Sequence, residues 1–457
     1  MATEVSVLDK NGNVTFYSTY LDARNAAGNN TGDHDLIQIW SDLNEQIVLK
    51  NGVDIWIAEG VVLNNLVGSL TSSFITITDN GQECHCKIYG MGIIKSTFAG
   101  SSGSPVYECI KTTDPDTELS VECDYIEGIG GITTNIIMQP SIFIENASKF
   151  HLECNQVINE KTCSIALGLQ PNFVQNVISD VNIKVCKIDI SGESITNSES
   201  IAVSVLAHGF IEIDEIICRH YGHCLLHAVG DIVASIRKMS NVNNHSTNNY
   251  ATVIVSHGNN QKLSLYFDEL ISLKTSGVSS SGPAIISNQG VNINLIGRKI
   301  FAEQSITAYL QGTNVTGIFK ISEIISQASV AMVVNVVNQF TIDSAVIQGV
   351  GGTIIYSSGS AQNPGNYTLL NAKLINLQTS GTPRGIYLEN IFPQVTLKNI
   401  KIVCNDDIIF LNSEEEEDQV FVKNYGLFGN NNFDDTKIIL QIGDANNYLF
   451  TENSNLT

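Results

Sequence analysis

The chain returns to one pattern about every 25 residues over most of its length, and a chain that does so folds as a stack of like units. One half of each unit carries apolar residues at offsets 0, 2, 5 and 7. Instances are Ile183, Val185, Ile188 and Ile190; Ile211, Ile213, Ile216 and Cys218; and, much later, Val395, Leu397, Ile400 and Ile402. Steps of two put paired side chains on one face of an extended strand. The step of three leaves two polar residues at a bend, after which the chain points inward again. The other half is a short apolar run ending in glycine, as at Gly209, Gly230, Gly258, Gly290 and Gly312, which stand 21, 28, 32 and 22 residues apart. Core strands of constant length joined by loops of variable length predict a solenoid of stacked rungs rather than a set of hairpins.

At 457 residues the chain could hold two or three ordinary domains, but no linker-like break interrupts the repeat, and one long domain is expected. Only 15% of residues are charged, while Asn, Ser, Thr, Gly, Ile and Val abound, as many short strands joined by turns require. A net charge of −22 argues against a nucleic-acid partner, which needs a basic stripe to neutralise phosphate. It also repels anionic membranes and polyuronate glycans, leaving neutral glycans as partners. The start, MATEVSVLDK, has neither the basic segment nor the apolar core of a secretory signal peptide. No stretch approaches ~20 uninterrupted apolar residues, so no membrane insertion is expected. The ten cysteines do not form a disulfide framework for a chain this long. Cys123 and Cys154 take the same inward offset, where cysteine acts as a small hydrophobe. The expectation is folding in a reducing cytoplasm, with any work outside the cell reached by release in a virus particle.

Residues 1–35 read as a cap or attachment segment. Thr19-x-x-Asp22 matches a capping box, and Tyr20 to Ala27 before Gly28 suits a short helix covering the open end of the first rung. In the strand pair that follows, Ile47, Leu49, Val53, Ile55 and Ile57 alternate around Lys50-Asn51-Gly52. A short helix, then a GD-x-hydrophobic strand, then LKNGV-x-I-x-I-x-x-G resembles the entry into right-handed parallel β-helix proteins of the pectate-lyase-like superfamily. Among these the chain is most similar to viral (phage) fibres and tailspikes. The resemblance implies an all-β fold: a right-handed parallel β-helix over 36–426, with a short N-terminal capping helix and a C-terminal β cap or oligomer contact over 427–457. It further implies a homotrimer whose interfaces bury one face of each solenoid.

The polar pairs at the bends alternate in sign: Cys186-Lys187, Asp214-Glu215, Arg237-Lys238, Asp268-Glu269, Arg298-Lys299 and Ser322-Glu323. Rungs stack ~4.8 Å apart, so each acidic pair is expected between basic ones, where it stays ionised and helps to set register.

Two constellations are candidates for chemistry. Cys218-Arg-His220-Tyr-Gly-His223-Cys224-Leu-Leu-His227 is dense in zinc-type ligands, making His220, His223, Cys224 and His227 the metal candidates; strand alternation should scatter them. Asn405-Asp406-Asp407 is similar to the paired aspartates of polygalacturonases, and Gly222-His223-Cys224 to their Gly-His-Gly. Here the order of the two is reversed and the Arg-Ile-Lys substrate clamp is missing. Pectate lyases need calcium-binding aspartates and an arginine base, and this chain has five arginines in all. The catalytic candidates are therefore Asp406, Asp407, Glu389 and Arg384 around one small cleft, an incomplete set. The expected function is a virion fibre or spike that contacts host-surface glycans and binds without cleavage. The alternatives are a glycan-degrading tailspike, hydrolase or lyase, and an inert structural or decoration protein. No cofactor is expected, and outward aromatics, for example Tyr356 or Tyr387, either stack on sugar rings or pack at the rim.

Overall fold

The computed structural model describes residues 5–28, 35–65, 75–77, 84–97, 109–113, 115–129, 141–144, 147–160, 165–169, 178–191, 200–219, 222–244, 252–255, 261–274, 284–287, 291–312, 315–335, 337, 339–358, 366–381, 383–389, 394–398, 400–403, 409–413 and 438–442. Among them the chain is all-β, with parallel strands stacked rung on rung as a solenoid and a single short helix, Tyr20–Ala26. The chain divides into two compact units, Met1–Ile236 and Arg237–Thr457.

The first unit opens with antiparallel pairing. Val5–Leu8 lies between Val14–Tyr17 and Asp35–Ile39, antiparallel to both. Every later described pairing in the unit is parallel. One sheet runs Asp35–Ile39, Val53–Ile57, His85–Gly90, Glu118–Ile129, Lys149–Glu160 and Ile178–Ser191. A second runs Ile47–Leu49, Ile75–Ile77, Ile110–Thr112, Ile142–Ile144 and Ile165–Leu169. Parallel register turns the apolar offsets of the sequence into buried columns. Val121, Leu152, Ile183 and Ile211 form one, and Ile126, Val157, Ile188 and Ile216 another. Each such side chain contributes about 1.5–3 kcal/mol on burial, and the repeat multiplies that gain rung by rung.

The capping box forms. The Thr19 hydroxyl accepts from the Asp22 N–H at 3.1 Å and donates to the Asp22 carboxylate at 2.8 Å. Tyr20 is buried; its hydroxyl donates to the Val48 carbonyl at 2.9 Å, and Arg24 Nε donates to the same oxygen at 2.7 Å. The helix is thus pinned to the strand Ile47–Leu49, and it stops one residue earlier than expected because Ala27 is already extended.

The bends are less uniform than the sequence pattern suggests. Lys149–Glu160 and Ile178–Ser191 run unbroken through them, whereas His85–Gly90 and Ile93–Thr97 are separate strands. Two of the run-ending glycines sit where nothing larger fits. Gly209 has φ +141° and Gly230 φ +105°, and a Cβ on either would stand 2.1 and 1.9 Å from the carbonyl oxygens of Val181 and Ala207. Gly258 and Gly290 lie outside the described residues.

The second unit repeats the plan. Gln261–Lys274, Val291–Ala302 and Thr316–Ser326 stack in parallel, with Leu265, Leu295 and Phe319 in one buried column and Leu270, Ile300 and Ile324 in another. Its second sheet runs Val253–Val255, Ile285–Ser287, Ala308–Gln311, Met332–Asn335, Thr353–Ser358, Arg384–Glu389 and Ile409–Ser413. The alternating bend charges meet in register within each unit. Lys187 lies beside Glu215, Lys299 lies between Glu269 and Glu323, and Arg298 pairs with Glu269. The eight described cysteines are free thiols, seven of them buried and Cys186 exposed, with Cys123 directly above Cys154 in the stack.

Candidate functional site

In the first unit the outward positions of the long sheet form columns as regular as the inward ones. Strand alternation exposes Trp56 between Ile55 and Ile57, and Tyr89 after Ile88. Parallel register sets Trp56 beside Tyr89, then Glu122, Glu153 and Lys184. A neighbouring column runs Lys87, Ser120, His151 and Asn182, and a third His85, Glu118, Lys149 and Asp180.

Aromatic residues crowd one end of this face. Trp40 and Trp56 meet edge to face, ring centroids 4.8 Å apart at 63°. Trp40 is 44% exposed, yet its ring is fixed, because its indole N–H donates to Ser6 Oγ at 3.0 Å and Ser6 in turn donates to Gln38 Oε1 at 3.0 Å. On the next rung the Lys87 ammonium stands 5.3 Å from the centre of the Tyr89 ring. The chain has only two tryptophans, and both lie here on the outer face. Trp40 is thus an exposed aromatic held in one orientation, with the half-buried rings of Trp56 and Tyr89 next to it.

The aromatic strip borders a groove of about 540 Å³ lined by Asp54, His85, Lys87, Glu118, Lys149 and His151, among others. Two carboxylates on the strand Glu118–Ile129 organise it, each bridging a lysine and a histidine. Glu118 takes Lys149 at 2.9 Å and His85 at 3.2 Å. Glu122, just outside the lining, takes Lys87 at 2.6 Å and lies 3.9 Å from His151. Asp54 accepts from the Lys87 backbone N–H at 2.9 Å. The hydrogen bond from Lys149 holds Glu118 below the usual carboxylate range, and Lys184 does the same to Glu153 one rung above Glu122. A glycan-cleaving acid needs its pKa raised; these two carboxyls move the opposite way. The face offers fixed acceptors, fixed donors and flat apolar rings, which is the chemistry of binding a polyhydroxylated ligand.

The residues singled out from sequence fall elsewhere. His220, Asp406 and Asp407 lie outside the described residues. His223, Cys224 and His227 are buried on the strand Gly222–Val229. His227 Nε2 donates to the Gly230 carbonyl at 2.8 Å, and burial pulls its pKa down. Among the described residues no three His, Cys, Asp or Glu side chains converge on a metal position. Arg384 and Glu389 do come together, through tyrosines: the Arg384 guanidinium lies 5.0 Å from the Tyr387 ring centre, and the hydroxyls of Tyr356 and Tyr387 both donate to the Glu389 carboxylate.

The groove escaped sequence reasoning because its members come from strands about 30 residues apart. One signal was present, a tryptophan at the outward offset of an alternating strand. No model of a known protein family matches the chain, and comparison with curated proteins and with solved structures gives no match.

Proposed function

We propose that this chain is a glycan-binding protein, a fibre or spike of a virus particle that contacts neutral host-surface glycans and does not cleave them. The observation that carries the reading is the fixed, exposed Trp40 with the half-buried Trp56 and Tyr89 beside it, on the same outer face as a groove lined by charged side chains. Aromatic faces cover the C–H faces of sugar rings, while the ordered carboxylates, amides and lysines satisfy hydroxyls. Leaving Trp40 exposed and Trp56 only half-buried forgoes burial energy that a core position would have supplied, so a ligand that covers them regains it. The net charge of −22 favours an uncharged partner. The viral placement is supported by the parallel solenoid and its resemblance to the pectate-lyase-like class of fibres; a trimer would multiply weak single contacts through avidity.

The test is calorimetric titration against a panel of uncharged gluco-, manno- and galacto-configured oligosaccharides, with Trp56→Ala and Trp40→Ala alongside. Loss of an anchoring aromatic costs about 2 kcal/mol, roughly a 30-fold weaker Kd, while the far-UV spectrum stays unchanged. Binding untouched by both substitutions would overturn the site. New reducing ends or unsaturated products would overturn the non-cleaving reading in favour of a depolymerase.

A further inference from the structure

The second unit carries a face of the same kind on its other sheet, built from different residues. Outward positions of the strands Ala308–Gln311, Met332–Asn335, Thr353–Ser358 and Arg384–Glu389 align in two adjacent columns. One reads Tyr309, Val333, Tyr356, Tyr387 and the other Gln311, Asn335, Ser358, Glu389. The first is aromatic except for Val333, which is buried and separates Tyr309 from the Tyr356–Tyr387 pair; the second is wholly polar. Tyr356 and Tyr387 meet edge to face with centroids 5.5 Å apart at 70°. Both rings are locked, since their hydroxyls donate to opposite oxygens of the one Glu389 carboxylate. Partial burial and that carboxylate push the Tyr356 hydroxyl up to about 12, so it remains a donor.

We propose that this strip is a second glycan site, separate from the groove of the first unit and taking an uncharged pyranose with vicinal hydroxyls. An ionised carboxylate offers about four acceptor positions. The two tyrosines occupy one on each oxygen of Glu389, leaving each oxygen another for a hydroxyl of a sugar laid against the Tyr356 and Tyr387 rings. Ser358 belongs to the same polar cluster: its hydroxyl lies 3.2 Å from Asn335 Oδ1 and is hydrogen-bonded with Tyr356. Glu389 and Arg384 carry opposite charges on one short strand, so the strip favours neither an anionic nor a cationic sugar.

The inference rests on the reading of the chain as a glycan binder, and two probes separate its failure from the failure of that reading. Both tryptophans belong to the first site, so tryptophan fluorescence reports that site alone while calorimetry counts both. With the same panel of uncharged oligosaccharides, the fluorescence change should saturate at about one equivalent per chain and the heat at about two. Tyr356→Ala with Tyr387→Ala should remove one equivalent of heat and leave the fluorescence titration unchanged. Glu389→Gln keeps both rings and the fold, and should weaken only the second equivalent by about tenfold. One equivalent in calorimetry, or a Glu389→Gln titration identical to that of the parent, overturns the second site and leaves the first standing. No heat and no fluorescence change with any oligosaccharide overturns both.

Discussion

Single residues decide whether rungs can stack. Gly209 and Gly230 combine a positive φ with a carbonyl oxygen where a Cβ would go, so strain and clash act together. Gly230→Ala should cost about 3 kcal/mol or more, read as a fall in the denaturant midpoint, whereas alanine at Gly60, which has φ +74° but open space around it, meets the strain without the clash and should cost less. Glu118 shows the electrostatic counterpart. Lys149, then His85, hold its carboxyl low in the folded state. Its stabilisation is therefore complete above the unfolded carboxylate pKa of about 4.3 and disappears as pH falls through the lower folded value. Lys149 moves the other way, raised by Glu118, so its share is present below about pH 10.4 and is lost above it. Replacing Lys149 by Met should lower the neutral plateau of a midpoint-against-pH curve slightly and make the acid limb shallower by the same amount, small because the pair is solvent-screened.

At the scale of the strand, alternation does two jobs at once. Inward offsets build the core and outward offsets build columns of charge, amide or aromatic ring. Opposite charges on adjacent rungs, as with Glu118 and Lys149, Glu153 and Lys184, and Glu269 and Arg298, favour the observed register over a slip of one residue, which would also turn the apolar set outward. Each exposed pair contributes ~0–1 kcal/mol. Arg298→Glu should therefore lower the thermal midpoint only slightly, and less at 1 M salt, where the screening length is about 3 Å. The thiols follow the same alternation. Of the eight described cysteines, Cys186 alone is exposed; among these eight it should label rapidly with a thiol reagent in native buffer, and the other seven only on unfolding. Rapid native labelling of Cys123 or Cys154 would contradict their place in the core.

For the whole molecule, charge and strand content are the governing quantities. With a net charge of −22, sulfated and uronate glycans should fail to bind even at low ionic strength, where any attraction to a polyanion would be strongest. With one seven-residue helix among the described residues, the far-UV spectrum should show β-structure with almost no helical signal. A helix content above a quarter would be incompatible with stacked parallel rungs. The proposed trimer predicts a single species of three chains by light scattering, with glycan avidity lost when the trimer is dissociated.

The sequence by itself determined the class of fold, the inward residues and the cap. Offsets of 0, 2, 5 and 7 from Ile183 to Ile190 are a local property, and a strand cannot satisfy them except by burying that face. Thr19 and Asp22 set the start of the helix for the same reason, since a capping box spans only four residues. It did not determine the binding face. Trp56 could be read as outward, but its proximity to Trp40 and Tyr89, and the way Glu118 gathers His85 and Lys149, depend on how far each loop lets the chain travel before it re-enters the stack. Those loops vary in length, and in a parallel solenoid the loop sets which outward side chains meet. His223, Cys224 and His227 show the converse: they are close in sequence, yet on the extended strand Gly222–Val229 the two histidines stand roughly 13 Å apart. Local periodicity fixes which way a side chain points; only the stacked register decides which side chains it meets.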